Sequence, residues 1–199
     1  MIDTAAFLHD ARCAFVVIDL QRAIVARASQ PHTSRDVIAR CAQVAQAFRT
    51  RDYPVIYVRV TPSSDGADAL RPLLDTALPP FPSDPQAATL VPESGVQPSD
   101  MIITKRQWGA FYGTELELQL RRRGVGRIVF GGISTNIGVE STARDAFERG
   151  YPMLFIEDAM ASFSGDEHVH TVTRIFPRMG IVRSTAQVLA ALESNVSAL

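Results

Sequence analysis

Arg127-Ile128-Val129-Phe130-Gly131-Gly132-Ile133-Ser134-Thr135-Asn136-Ile137-Gly138-Val139-Glu140-Ser141-Thr142-Ala143-Arg144-Asp145-Ala146 is the stretch from which the fold of this 199-residue chain is read. The apolar run at its start is short and β-branched, so it predicts a buried strand; Val139, Ala143, Ala146 and Phe147 then recur at helical spacing. Between the two lies a glycine-rich corner, where backbone conformations closed to residues with a Cβ become available. Helices open with unpaired N–H groups. A strand, a tight corner and a helix start therefore predict a pocket for an anionic or polarised group at this strand end.

The same unit recurs along the chain. Ala14-Phe15-Val16-Val17-Ile18 is a continuous apolar strand that ends in Asp19, with Gln21 just beyond it. From Thr33 or Ser34, residues Val37, Ile38, Cys41, Val44, Ala45 and Phe48 mark an amphipathic helix. Val55 to Val60 is a second strand, and Met101-Ile102-Ile103-Thr104 a third that ends in Lys105. After it come Trp108 and other aromatic and polar groups, then a helix opened by a capping-box pattern at Thr114-x-x-Glu117 and closed by Arg121-Arg122-Arg123-Gly124. Pro152 to Ile156 and Gly180 to Arg183 are the fifth and sixth strands, separated by a helix capped by Ser164; a final helix follows Ser184. Residues 61 to 100 hold eight of the twelve prolines and predict a long excursion with one short helix around Ala67 to Leu74.

Six alternations of strand and helix, joined by right-handed crossovers, predict an α/β fold: a mainly parallel, six-stranded sheet covered on both faces, in one domain over residues 1–199. Twenty basic against twenty-one acidic residues give no electrostatic reason to expect nucleic acid or an acidic membrane as partner. No apolar run reaches membrane-spanning length and no secretory leader is visible, so the chain reads as soluble and cytoplasmic. Cys13 and Cys41 are too far apart for a redox or zinc pair and read as buried apolar residues. Nineteen of the basic residues are arginine, which makes Lys105 the only lysine. A lone lysine at a strand end suggests a place where a compact ammonium is wanted.

Asp19, Lys105 and the Gly131 to Ala146 stretch together resemble the isochorismatase-like (cysteine hydrolase) superfamily over nearly the whole chain. The resemblance implies a three-layer αβα, Rossmann-like fold with strand order 3-2-1-4-5-6, a non-proline cis peptide at Ile133–Ser134, and a homodimer or homotetramer. In the cysteine hydrolases an Asp after the first strand, a Lys after the third and a Cys act together; the first two positions match Asp19 and Lys105. The position of the cysteine is taken by Gly138. A thiol mechanism is then unavailable. Glycine at this position is also what the resemblance gives for true isochorismatases, whose vinyl-ether cleavage needs a proton and water but no protein nucleophile. Those enzymes carry Tyr-Ala-His where this chain has Ser134-Thr135-Asn136, which resembles the Cys-bearing hydrolases instead.

Three expectations follow from the resemblance. The first is a hydrolase without a thiol, acting on a small carboxylated substrate, with Asp19 as general acid or base, Lys105 pairing with a substrate carboxylate or ether oxygen, and Gln21, Arg59, Trp108, Ser134 and Thr135 as substrate-binding residues. The second is a nucleophile-deficient, amidase-like homologue that binds or assembles, and the third an amidase using water activated by Asp19. Metal-dependent nicotinamidases of the superfamily carry an Asp-x-His pair after the second strand, where this chain, from Arg59 to Asp65, has no histidine. No metal and no cofactor is implied, and His32, His168 and His170 read as solvated.

Overall fold

The computed structural model describes residues 2–76, 82, 84 and 86–194. Strands β1 (Cys13–Ile18), β2 (Val55–Val60), β3 (Met101–Lys105), β4 (Arg127–Ile133), β5 (Met153–Ala161) and β6 (Gly180–Arg183) form one sheet in the order β3-β2-β1-β4-β5-β6. Every neighbouring pair is parallel, with helices α1 (Thr4–His9) before β1, α2 (Arg22–Val25) after it and α6 (Gly165–His170) after β5. The three-layer αβα architecture and its strand order are thus as expected.

The continuous apolar runs follow from burial on both faces, since all six residues of β1 are buried. On one face Phe15 and Val17 pack with Val44 and Phe48 of α3 (Ser34–Thr50) and with Val188 and Leu192 of α7 (Thr185–Glu193). On the other, Val16, Ile18 and Phe130 pack with Leu116 and Leu120 of α4 (Leu116–Arg122), with Ala143 and Ala146 of α5 (Glu140–Glu148), and with Phe176. Phe155 stacks between Phe130 and Phe176, at centroid distances of 5.7 and 3.9 Å. Phe147, grouped with the inward positions by spacing, is half exposed.

Several local expectations shift. Residues 67 to 74 form turns and extended chain, with no helix; the remainder of that excursion includes residues 77–81, 83 and 85, which lie outside the described residues. The α4 N-terminus lacks the capping box: Thr114 Oγ1 accepts from Leu116 N, and the N-cap position is Glu115. Ser164 precedes the helix Gly165–His170 without a side-chain cap bond. Strand β5 runs on to Ala161, and Asp158 accepts from the N–H and hydroxyl of Thr185, which ties it to the start of α7. Among the described residues no helix is long and apolar enough to cross a membrane.

The corner after β4 has a steric cause. Gly132 has φ 118°, and a Cβ there would stand 2.1 Å from Ile18 O, so only glycine lets the ends of β1 and β4 come this close. The Ile133–Ser134 peptide is cis. Thr135–Val139 forms a single π turn that leads into α5.

Candidate active site

Asp19, Lys105 and the Ser134 to Gly138 turn all lie at the carboxyl edge of the sheet, beside the β1/β4 switch point where open α/β sheets place ligands. Lys105 ends β3, two strand spacings or roughly 9–10 Å from β1. Its long side chain crosses the end of β2, and Nζ stands 2.8 Å from Asp19 Oδ2, with the lysine side chain fully buried and that of Asp19 7% exposed. Nζ also donates to Trp108 O at 2.6 Å. Asp19 sits in the left-handed region at φ 52°, its N–H donating to Val58 O, which turns the chain sharply off β1.

Oδ1 of Asp19 is buried and lacks a hydrogen-bond partner among the described residues. Burial pushes the Asp19 carboxyl above the ordinary carboxylate range, and the adjacent Lys105 ammonium offsets only part of that. A carboxyl held this way can carry a proton at a pH where an exposed aspartate has lost it.

The pair forms the floor of a cavity of about 490 Å³. Its walls are mostly apolar, with Ile24, Val60, Ile133, Ile137 and Phe163 among them; Arg27, Gln107, Trp108 and Ser134 add polar groups. Gly138 presents only backbone to the floor. A Cβ at this position would lie 2.9 Å from Ile18 Cγ2, 3.0 Å from Asp19 Oδ2 and 3.2 Å from Lys105 Nζ. Thr142 Oγ1, on α5, donates to Gly138 O and accepts from Ala110 N, tying the turn to the segment after β3.

Of the eight residues expected at the site, Asp19, Lys105, Gly138, Trp108 and Ser134 line the cavity. Gln21, Arg59 and Thr135 are not among its lining residues. Gln21 spends both ends of its amide on Val60, donating to its carbonyl and accepting from its N–H, and so extends the edge of β2. Arg59 neighbours the lining residue Val60 on a strand, so it points to the opposite face, where its Nε donates to Thr104 Oγ1. Thr135 is buried and meets His168 Nδ1 at 2.8 Å.

That contact also corrects the reading of His168, which is 3% exposed and held down to about pKa 4 chiefly by its burial. Residues not anticipated at the cavity include Ile24 and Arg27 after β1, Gln107 after β3 and Phe163 after β5. Gln107 and Ile137 lie in segments whose composition pointed to the crevice. Arg27 and Phe163 meet only through tertiary structure. Among the described residues no group of three or more His, Cys, Asp or Glu side chains is arranged to hold a metal ion.

A buried acid and ammonium lie beneath an apolar cleft at the switch point of a 3-2-1-4-5-6 sheet, which places the chain in the doubly wound α/β class with its site at the carboxyl edge. The chain belongs to the isochorismatase family: residues 13–187 match the isochorismatase domain. It is 46% identical over 187 residues to the uncharacterized isochorismatase family protein YecD of Escherichia coli O157:H7, covering 90% of this chain and 95% of that one. To YwoC of Bacillus subtilis (strain 168), of the same family and also uncharacterized, it is 47% identical, covering 89% and 93%. The solved structure of an isochorismatase family protein from Burkholderia thailandensis superimposes with a TM-score of 0.89 at 47% identity, over 92% of this chain and 96% of that one.

Proposed function

We propose that this protein hydrolyses a small carboxylated substrate, of the vinyl ether type, by acid–base catalysis through Asp19 with water and without a protein thiol. The observation that carries this is the floor of the cavity: a buried carboxyl with one oxygen on Lys105 and one unpartnered, beside a residue with no side chain. In this reading Gly138 stands where a nucleophilic cysteine would otherwise be. Protonated Asp19 gives its proton to the terminal enol carbon, water adds to the resulting oxocarbenium ion and returns a proton to the Asp19 carboxylate, and the neutral hemiketal so formed breaks down to a carbonyl product and an alcohol. Lys105 keeps the carboxylate charge compensated once the proton has left.

One relative named for its activity supports a small carboxylate as substrate. The Variovorax paradoxus protein called ureidoacrylate amidohydrolase is 28% identical over 79% of this chain. Enterobactin synthase component B of Escherichia coli (strain K12) is 30% identical over 78% of this chain and 54% of its own length. The product identifies the reaction: pyruvate from an enolpyruvyl ether, ammonia from an amide.

The test is hydrolysis that survives iodoacetamide and disappears in Asp19→Asn. Cys13 and Cys41 are buried, away from the cavity lining, with burial pushing both thiols up, Cys13 to about 12. Alkylation should leave the rate unchanged; inactivation by iodoacetamide would show that a thiol takes part and overturn the proposal.

A further inference from the structure

We propose that Arg27 is the anion-recognising residue of this cavity and takes the carboxylate of a compact, singly charged substrate whose apolar body lies along Ile24, Ile137 and Phe163. This rests on the reading of the cavity as a hydrolytic site, and it assigns the carboxylate to Arg27, where the resemblance implied Lys105 on a substrate carboxylate or ether oxygen.

Among the described residues two cations, Lys105 and Arg27, line the cavity. Lys105 is committed, with Nζ bonded to both Asp19 Oδ2 and Trp108 O. Arg27 is exposed, and among the described residues its guanidinium has neither an ion pair nor a hydrogen-bond acceptor. Its Cζ lies 3.5 Å from the centroid of the Phe163 ring. Stacking of this kind holds one face of the guanidinium against the ring and leaves its N–H edge to meet a carboxylate side by side.

The backbone around this stack is braced. Gln30 and Ser162 exchange N–H···O bonds of 2.8 Å in both directions, which pins the loop carrying Arg27 to the residue before Phe163. Gly165 N donates to Gln30 Oε1 as well. Ser162 Oγ in turn donates to Asn136 Oδ1 at 2.5 Å, joining the brace to the turn that contains Gly138. The cation at the mouth and the acid on the floor are therefore parts of one hydrogen-bonded frame.

Gln107 narrows the substrate further. Its Nε2 donates to Gly109 O and Tyr112 O, which leaves Oε1 as the atom able to accept from a ligand hydroxyl or N–H. One guanidinium over apolar walls suits a monoanionic carboxylate. A phosphate dianion would need more donors than these walls offer.

The test is titration of the intact chain with benzoate, its neutral isostere benzamide, and inorganic phosphate, followed by calorimetry. Benzoate should bind at least about 10-fold more tightly than benzamide or phosphate. Arg27→Gln should weaken benzoate by about 10- to 100-fold, the range of a lost hydrogen-bonded charge pair, and leave benzamide unchanged. Arg27→Lys should fall between the two, because an ammonium lacks the planar fork. No benzoate binding to the wild type, equal benzoate affinity in Arg27→Gln, a parallel loss of benzoate and benzamide, or a preference for phosphate would each overturn the assignment. The hydrolytic reading is judged separately, by the rate of Asp19→Asn: unchanged benzoate affinity in Arg27→Gln with that rate abolished overturns the Arg27 assignment alone, and weakened benzoate with an undiminished rate overturns the hydrolytic reading alone.

Discussion

Asp19 Oδ2 and Lys105 Nζ stand 2.8 Å apart at the floor of the cavity, and both side chains are almost wholly removed from solvent. A buried ion pair contributes little net stability when intact, because desolvation consumes most of the attraction, yet breaking it leaves a charge in a poor solvent. Asp19→Ala leaves Lys105 with Trp108 O as its remaining polar contact, and is expected to lower unfolding free energy by about 3–5 kcal/mol. Lys105→Met should cost less, about 1–3 kcal/mol, because Asp19 can take up a proton and become neutral. Urea unfolding at neutral pH measures both; equal effects would mean the pair is more hydrated than its burial indicates.

The protonation of Asp19 sets the direction of the pH dependence. Its carboxyl is raised by burial, so the folded protein favours the protonated form, and that contribution to stability is full below the ordinary carboxylate range and lost as pH rises through the raised value. Acid catalysis follows the same protonated form, so kcat/KM should be flat at low pH and fall as pH rises through the Asp19 transition. Lys105→Met removes the influence that lowers this transition and should move it to higher pH. Carbon-13 NMR of the Asp19 carboxyl follows the shift without any substrate, and a transition moving downward would reverse the assignment of causes.

Gly138 is tightly framed. The ion pair and Ile18 reach to within 2.9–3.2 Å of where its Cβ would be, so Gly138→Ala should separate Asp19 from Lys105 or push the π turn outward. Overpacking costs about 1–3 kcal/mol, against about 1 kcal/mol gained from replacing glycine in a helical segment. A net loss of up to about 2 kcal/mol is expected by thermal or urea unfolding, with a fall in hydrolysis. Gly138→Cys should behave alike and remain silent on amides. Ammonia release by a fully stable Gly138→Cys variant would instead indicate an amidase frame that needs only its thiol.

Much of this architecture was legible because the central strands β1 and β4 are buried on both faces and so read as continuous apolar runs. Asp19 and Lys105 stood out as charged groups ending apolar runs, at the carboxyl edge where a parallel sheet opens. The strand order came from the resemblance, since periodicity says which segments are strands and leaves open which ones pair. That Arg59 and Gln21 lie outside the cavity lining was not legible, because proximity in sequence does not reveal on which side of β2 a side chain emerges, or that an amide will complete a strand edge. Arg27 and Phe163 were invisible for a related reason: the Gln30–Ser162 bridge that unites them is a contact between distant segments.

His168 gives a prediction that does not depend on any substrate. Its sequence neighbours Glu167, Val169 and His170 suggest a solvated helix, but its ring is packed inward against Thr135, and His32 meets it edge-on at 5.9 Å. Burial, with His32 adding to it, brings its pKa from 6.5 down to about 4. The fold therefore favours the neutral ring, so the unfolded chain binds more protons between these values and stability falls as pH drops from 6.5 to about 4. At 1.36 kcal/mol per unit the loss is on the order of 3 kcal/mol, with no further change from this group at lower pH. His168→Gln can keep a hydrogen bond to Thr135 and cannot titrate, so its unfolding free energy should lack this slope. Urea unfolding of both proteins across that range decides the matter: parallel curves would show that other groups carry the acid sensitivity, and that Thr135 and the turn beside Gly138 are not held by a neutral imidazole.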